Sequence, residues 1–418
     1  MKKIIYLVVL ISSLLKSYSQ QITPISNQEF DNATFSNLHF LKEELKDVKI
    51  VGLGESSHLM GKTYTAKVKL IKYLHENCGF DIIAFESPMY NLYKVNDTIT
   101  IGKYPKEEIF NNLSGVWYTK ELDELFDYVI KTRKSNRPLI CTGFDGRVFL
   151  NQADVLVADY SNFIKKLNIQ SNSNIQIDSS FIKIMTTNVK NCFSEEKILP
   201  QDTLVLYHKF NEVKNSFKKI ENKNDNNYYS FWNQMTANLE AFYRTSYLNY
   251  NVRDKQMAKN VSFFANNLYK DKKIMLWAAT LHLHDKPELI EHKSKNLYND
   301  QFMGQYLNNE FKERYYTIAF TPFSGTIGMK GYLGLAKLKV KSKEGSLEKF
   351  INDTYHCDYA YIPLRNKVVP KIITENKLNK SNIIGSKPHK MDLTKVVDAY
   401  FYIKEEHLIT GRNNKDAH

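Results

Sequence analysis

The sequence predicts an α/β protein with a mostly parallel central sheet flanked by helices and a large helical insertion between the third and fourth core strands. Three observations carry that prediction. Short apolar runs recur at wide spacing: VKIVGLG (Val48 to Gly54), DIIAFE (Asp81 to Glu86), PLICTGF (Pro138 to Phe144), KIMLWAAT (Lys273 to Thr280) and YYTIAFT (Tyr315 to Thr321). Their apolarity is continuous rather than alternating, which marks strands buried on both faces, as in a parallel sheet covered by helices. The first two runs enclose a helical period, and from Asn151 to Tyr269 helical periods replace the strand signal altogether.

The first nineteen residues differ in kind from the rest. Lys2 and Lys3 precede an apolar run from Ile4 to Leu15, and Ser17-Tyr18-Ser19 supplies small residues for a signal peptidase, so the mature chain is expected to start at Gln20. That run is too short for a stable membrane anchor, and no cysteine follows the cleavage point to carry a lipid. An exported protein, periplasmic or secreted, is therefore expected.

Residues 20–150 read as the first half of the α/β core. Met60, Tyr64, Val68, Ile71 and Leu74 recur at helical spacing within Leu59 to Asn77, and Gly79 closes that segment. Strand, helix and strand make one βαβ unit. Tyr118 to Arg133 is the next helical segment, and Pro138 opens the third strand.

Residues 151–270 read as a helical insertion that caps the sheet. Leu206, Phe210, Val213, Phe217 and Ile220 form one stripe, Tyr228, Phe231, Met235, Leu239 and Phe242 a second, and Met257, Val261, Phe264 and Leu268 a third. Polar joins such as Glu221 to Asn227 separate them, so at least four helices are expected. Residues 271–403 complete the core, and 404–418 read as a loosely ordered tail.

Hydrophobic residues make up 43% of the chain, ample for a core, and Lys plus Arg outnumber Asp plus Glu by 58 to 45, a formal charge of +13. The basic residues are scattered rather than gathered on one face or helix, so a nucleic-acid partner is not expected. The cysteines at 78, 141, 192 and 357 include no C-x-x-C pair, which argues against a zinc ribbon or a redox dithiol. Cys78 and Cys141 sit beside or within apolar segments and read as small core residues.

Loops after the carboxyl ends of parallel strands line the ligand crevice, so the residues just past each run carry the functional signal. The first run leads to Glu55 and His58, the second ends in Glu86, the third leads to Asp145 and Arg147, and the fourth leads to His282, His284 and Asp285. Glu55 and His58 have two readings: a helix start capped by Ser56 or Ser57 with an incidental histidine, or a general base beside a carboxylate. The convergence of Glu86 on the same edge favours the base, with water as nucleophile. No G-x-S-x-G elbow supports a serine nucleophile. His282 and His284 fall on one face if their strand continues that far. With Glu55 and His58 they offer a divalent-metal arrangement, but neither an H-E-x-x-H nor a facial-triad spacing is present, so no metal is assigned. Trp117 and Trp232 suit either an apolar ligand cavity or the core.

Taken in order, GLGESSH (Gly52 to His58), Lys67 to Phe85 with AFE ending at Glu86, GFD (Gly143 to Asp145), RDKQMAKN (Arg253 to Asn260), WAATLH (Trp277 to His282), FMGQYL (Phe302 to Leu307) and EGSLEK (Glu344 to Lys349) resemble the erythromycin esterase family. The resemblance implies hydrolysis of the macrolactone ester of macrolide antibiotics by an activated water, a resistance activity, with no required cofactor and a small-molecule ester as partner. By position His58 is the implied base, Glu55 and Glu86 its acidic partners, and His282 the second histidine of the family's His-Asn-x-His block. Lys67, Trp117, Asp145, Arg147, Arg253 and His284 are the expected substrate-binding residues. Ala279 and Thr280 stand where that block has His and Asn, Lys67 stands in the place of an arginine, and His284 is the candidate replacement for the missing histidine. A metal-dependent hydrolase of another ester or amide is one alternative. A haem or porphyrin carrier, with His58 or His282 as axial ligand, is the other.

Overall fold

The computed structural model describes residues 22–99, 106–191, 200–220, 227–243, 250–291, 301–331, 334–365 and 371–412. The expected leader, residues 1–19, and most of the polar join after Ile220 lie outside them.

All five apolar runs form strands. After a short β1 (Thr23–Ile25), the first two runs give β2 (Ile50–Glu55) and β3 (Phe80–Pro88), joined through helix α1 (Gly61–Cys78). Gly79 ends α1 with φ +79°, a conformation that glycine adopts without steric cost. Helix α2 (Met89–Ile99) comes after β3, and α3 (Asp123–Thr132) precedes β4 (Ile140–Asp145). Five helices come before the next strand: α4 (Ala153–Ser171), α5 (Ser179–Asn191), α6 (Pro200–Lys218), α7 (Asn227–Tyr243) and α8 (Tyr250–Phe263), the last continuing as a π-helical turn over Phe264–Leu268. The chain then returns to the sheet through β5 (Lys273–Ala279), a single helical turn α9 (Thr280–Leu283), the short β6 (Ile290–Glu291), α10 (Met303–Phe311) and the long β7 (Tyr315–Gly331). Strand β8 (Gly334–Lys339), α11 (Leu347–Tyr355), β9 (Tyr359–Pro363), the small strands β10 (Lys380–Ser381) and β11 (His389–Met391), and finally β12 (Ala399–Glu406) complete it.

The main sheet has the order β1-β9-β12-β7-β2-β5-β3-β4, with β8 paired to β7. From β12 to β4 every neighbour is parallel, whereas β9 joins β12 and β1 joins β9 antiparallel. Side chains alternate between the two faces of a strand, and both faces here are buried. Val51, Leu53, Ile83, Phe85, Met275 and Trp277 pack with α1 and α3. Ile50, Ile82, Ala84, Ile274, Leu276 and Ala278 pack with the inserted helices. The cap thus covers one sheet face with the stripes visible in the sequence: Leu206, Phe210, Val213, Phe231, Met235, Met257 and Val261 are buried there. The side chain of Phe242 lies outside the described ones.

Three expectations are corrected. Helix α1 begins at Gly61, and its N-cap position, Met60, makes no side-chain cap bond, so neither Ser56 nor Ser57 caps it. The partner is remote in sequence: Glu406 accepts from the amides of Lys62 (2.7 Å) and Thr63 (3.1 Å) and from the Thr63 hydroxyl (2.6 Å). The stretch from Lys404, expected to be loose, continues β12 to Glu406; Leu408 then bridges to Met60 and Gly411 to Thr119. Its own sequence is polar, but this backbone is anchored by partners far away in the chain; residues 413–418 lie outside the described ones. Finally, β5 ends at Ala279 rather than running through LHLHD, because one helical turn begins at Thr280.

Among the described residues, Cys78, Cys141 and Cys357 are free thiols. Burial pushes Cys78 up to about 11 and Cys141 up to about 12, the behaviour of inert core cysteines.

Candidate active site

Strands β2, β5, β3 and β4 lie side by side, and their carboxyl ends bring the charged residues together. Glu55 is the last residue of β2, paired with Ala279 at the end of β5, and Asp145 is the last residue of β4. The β3–β4 ladder shifts register between Phe85 and Pro88, the stretch that holds Glu86. Such irregularities re-aim a side chain at a sheet edge. Gly54 is needed where β2 meets the turn after β5, since a Cβ there would fall 2.9 Å from the Thr280 Cα.

Glu55 is fully buried between two partners. Its Oε1 lies 3.2 Å from His58 Nδ1, and its Oε2 accepts a hydrogen bond from the ammonium of Lys67. Lys67 projects from α1, is itself fully buried, and has the rings of Trp277 (4.9 Å) and Phe320 (5.6 Å) beside it. Burial lowers the proton affinity of this ammonium and the Glu86 carboxylate raises it; in direct contact with the Glu55 carboxylate it is the cation of a buried ion pair.

His58 sits in a bend ahead of α1 rather than within the start of a helix. The bend carries a cost: Leu59, just after the histidine, has φ +64°, an unfavourable region for a side chain of that size. Surrounding groups hold it there. The amide of Gly385 donates to the carbonyl of Ser56 (2.6 Å), the hydroxyl of Ser57 donates to the carbonyl of Gly328 (3.0 Å), and the amide of Leu59 donates to the Tyr64 hydroxyl (3.0 Å). The His58 side chain keeps 33% of its surface accessible. Desolvation lowers its affinity for a proton; Glu86 opposes this, while His282, Arg253 and Arg147 reinforce it. The ring therefore still meets water on one side but is biased towards the neutral form.

Glu86, Asp145 and Arg253 form the centre. Arg253, from α8, donates 2.7 Å hydrogen bonds from Nη2 to Glu86 Oε1 and to Asp145 Oδ2, and its Nε lies 3.2 Å from the same Asp145 oxygen. Arg147 Nε also donates to Asp145 Oδ2, at 2.6 Å. Burial works against the charge on both acids. His282, Arg253 and His58 outweigh it at Glu86, which is held far below the carboxylate range; Arg147 and Arg253 outweigh it at Asp145, held down to about 2. Glu86 Oε2 further accepts from the Ala279 amide at 3.3 Å.

His282 lies between two carboxylates: Nδ1 is 2.7 Å from Asp254 Oδ1 and Nε2 is 3.3 Å from Glu86 Oε1. His284 does not join the cluster. In a helical turn, residues two apart point in different directions, and the buried His284 ring instead packs 5.3 Å from Phe302, its Nδ1 without a partner among the described residues. Burial, and then the charge of His282, push it down to about 3. Trp117 likewise stands back from the open side: it is 1% exposed, within the core, and meets the site through an edge contact with His58 at 5.9 Å. Trp232 belongs to the cap's own core.

The structure thus gathers Glu55, His58, Lys67, Glu86, Asp145, Arg147, Arg253 and His282, of which His58 and Arg147, 33% and 19% exposed, reach solvent. Each central carboxylate already faces a protein cation, so a divalent metal would have to displace a buried lysine or arginine. Among the described residues no group of three or more His, Cys, Asp and Glu is arranged to hold one. Asp254 and Trp277 fall within the blocks RDKQMAKN and WAATLH, but nothing in the sequence assigns either of them a role. Asp254 is adjacent to Arg253 within RDKQMAKN, but no spacing rule connects it to His282.

A sequence model described as "Erythromycin esterase" matches residues 75–406, a span that holds Glu86, Asp145, Arg253 and His282 and begins beyond Glu55, His58 and Lys67. The Bacillus subtilis (strain 168) protein described as "Putative hydrolase YbfO" is 31% identical over 314 residues, 70% of this chain and 69% of that protein. Among solved structures, one described as a succinoglycan biosynthesis protein superposes with a TM-score of 0.72 at 18% identity, covering 96% of this chain and 98% of that one. A mutant of the erythromycin esterase EreC in its open conformation superposes with a TM-score of 0.68 at 17% identity, covering 95% of this chain and all of that one. These two likenesses show the α/β fold.

Proposed function

The chain belongs to the erythromycin esterase family, and from that premise we propose that it is an exported carboxylic-ester hydrolase that opens the macrolactone ring of macrolide antibiotics with a water activated by His58. Family membership supports a hydrolase acting on a small molecule; ester chemistry, the macrolide and the resistance role are our reading. The observation that carries the mechanism is His58, a partly exposed imidazole whose Nδ1 faces a buried carboxylate that is itself paired with Lys67.

With Nδ1–H donated to Glu55, Nε2 carries the lone pair and accepts a proton from water as the oxygen attacks the lactone carbonyl. Arg147, the cation of the cluster that reaches solvent, faces the negative charge developing on the carbonyl oxygen. Collapse of the tetrahedral species breaks the ring C–O bond, and the proton held by His58 goes to the leaving alkoxide. The product is a hydroxy acid, one water heavier than the substrate.

A fourteen-membered macrolide incubated with the protein should gain the mass of one water, and His58→Ala should abolish the gain while leaving the fold intact. An unchanged mass at saturating enzyme removes the macrolide. For export, N-terminal sequencing of the secreted protein should begin at Gln20; retention of residues 1–19 would refute cleavage.

A further inference from the structure

Asp254 is fully buried on α8, with Oδ1 2.7 Å from His282 Nδ1 and 3.0 Å from the Met303 amide, the first residue of α10. Among the described residues its other oxygen, Oδ2, has no hydrogen-bond partner. The charges around it can be matched pair by pair. Lys67 faces Glu55, Arg147 faces Asp145, and Arg253 faces Glu86. One buried negative charge is left, Asp254, and the group in contact with it is His282.

We propose that Asp254 is a positioning residue that holds His282 as a standing imidazolium, its Nδ1–H on Asp254 and its Nε2–H on Glu86, which makes the inner cluster electroneutral and leaves His58 as its titrating base. The assignment rests on the reading of His58 as general base. The competing arrangement is a neutral His282 whose Nε2 accepts from Arg253 Nη1, 3.4 Å away. That form would leave the Asp254 carboxylate buried without a counter-charge, its desolvation uncompensated. The groups facing His282 are Asp254 and Arg253 from α8, Glu86 from β3, His58 from the bend after β2 and His284 from its own turn, with the Phe302 ring alongside. Burial disfavours the proton on His282, and the two carboxylates more than reverse this, so its affinity for a proton is raised.

The imidazolium has two consequences for chemistry. It keeps the Glu86 carboxylate fixed and ionised, and its positive charge holds the proton affinity of His58 down. A base kept unprotonated near neutral pH is available to take a proton from water. Asp254 would thus act on His58 through His282, without touching substrate.

Ring nitrogen-15 spectra of the full chain test this directly, with the His282 signals identified by their loss in His282→Gln. Both His282 nitrogens should be protonated at pH 7, and Asp254→Asn should return the ring to a neutral form. A neutral His282 in the wild-type protein overturns the proposal. In an ester-hydrolysis assay Asp254→Asn should lower kcat about 100-fold with little change in KM. It should also move the acidic limb of the pH profile to higher pH, because the positive charge that suppresses His58 is gone, and Asp254→Glu should restore the limb. A fall in kcat with an unmoved limb would reduce Asp254 to a structural role and overturn the proposal. Should the wild-type protein hydrolyse no ester, the proposed function fails, while the ring spectra still decide the state of His282.

Discussion

Replacing Lys67 by methionine removes the cation from a fully buried ion pair and strands the Glu55 carboxylate. Breaking a buried pair by deleting one partner costs about 3–5 kcal/mol, because the remaining charge keeps its desolvation penalty. Two local features reduce that figure. The thioether would lie against the Trp277 and Phe320 rings that now flank the ammonium, a contact worth about 0.3–1.5 kcal/mol. His58, 3.2 Å from the other Glu55 oxygen, can take up a proton and supply part of the missing charge. The net loss is then about 3 kcal/mol, and it comes with a functional penalty, since a protonated His58 is no longer a base. Equilibrium denaturation by guanidinium measures the first effect. A double-mutant cycle with Glu55→Gln should show a coupling of about 2 kcal/mol, the double variant being less destabilised than the sum of the two single ones. Lys67→Met within about 0.5 kcal/mol of wild type, or a coupling indistinguishable from zero, would refute the reasoning: the pair would then not be the buried charge partnership described.

Three further perturbations address the scaffold of the site. Glu406→Ala removes the acceptor for two first-turn amides of α1 and should cost about 2–3 kcal/mol, with faster amide exchange at 59–61; unchanged exchange there would show that the bend is held without β12. His284 has a proton affinity depressed from the usual 6.5 to about 3 in the folded state, so the stability it contributes is present above 6.5 and lost as pH falls towards 3. His284→Leu should flatten that acid-side loss in unfolding titrations, and parallel curves for the two proteins would count against a neutral buried ring. Gly304→Ala places a Cβ about 2.1 Å from the Leu283 carbonyl oxygen, forcing α10 away from the turn and its Met303 amide away from Asp254. It should lower stability by about 1–3 kcal/mol, and a variant as stable as wild type would argue against that close approach.

Legibility in the sequence tracked locality. Continuous apolar runs announced β2, β3, β4, β5 and the start of β7, because a strand buried on both faces has no polar positions to interrupt it. Helical stripes announced the cap for the analogous reason: their period is a property of neighbouring residues. Strands β9 and β12 were missed, although YAYIP and AYFYIK are apolar, since each is framed by charge. Glu55, Glu86, Asp145 and His282 could be expected to lie together because parallel topology sends every strand's carboxyl end to one edge. Asp254 had no such signal. It is one polar residue on a polar helix, and only the packing of α8 against α9 and α10 gives it a partner.

The sequence by itself determined the strand and helix order, the inserted cap, and the edge at which acids, bases and histidines meet, because each is encoded in local periodicity and in where a run stops. The tertiary structure alone decided which charges pair. Glu55 with Lys67, Arg253 between Glu86 and Asp145, and His282 between Glu86 and Asp254 join different elements, and Glu406 at the start of α1 joins residues more than 340 positions apart. Their energies depend on distance and burial, to the extent that a charge worth little in water becomes costly to leave unpaired inside. For the same reason the bend that carries His58 has its backbone held by groups remote in sequence, Gly328, Gly385 and Ile409 among them.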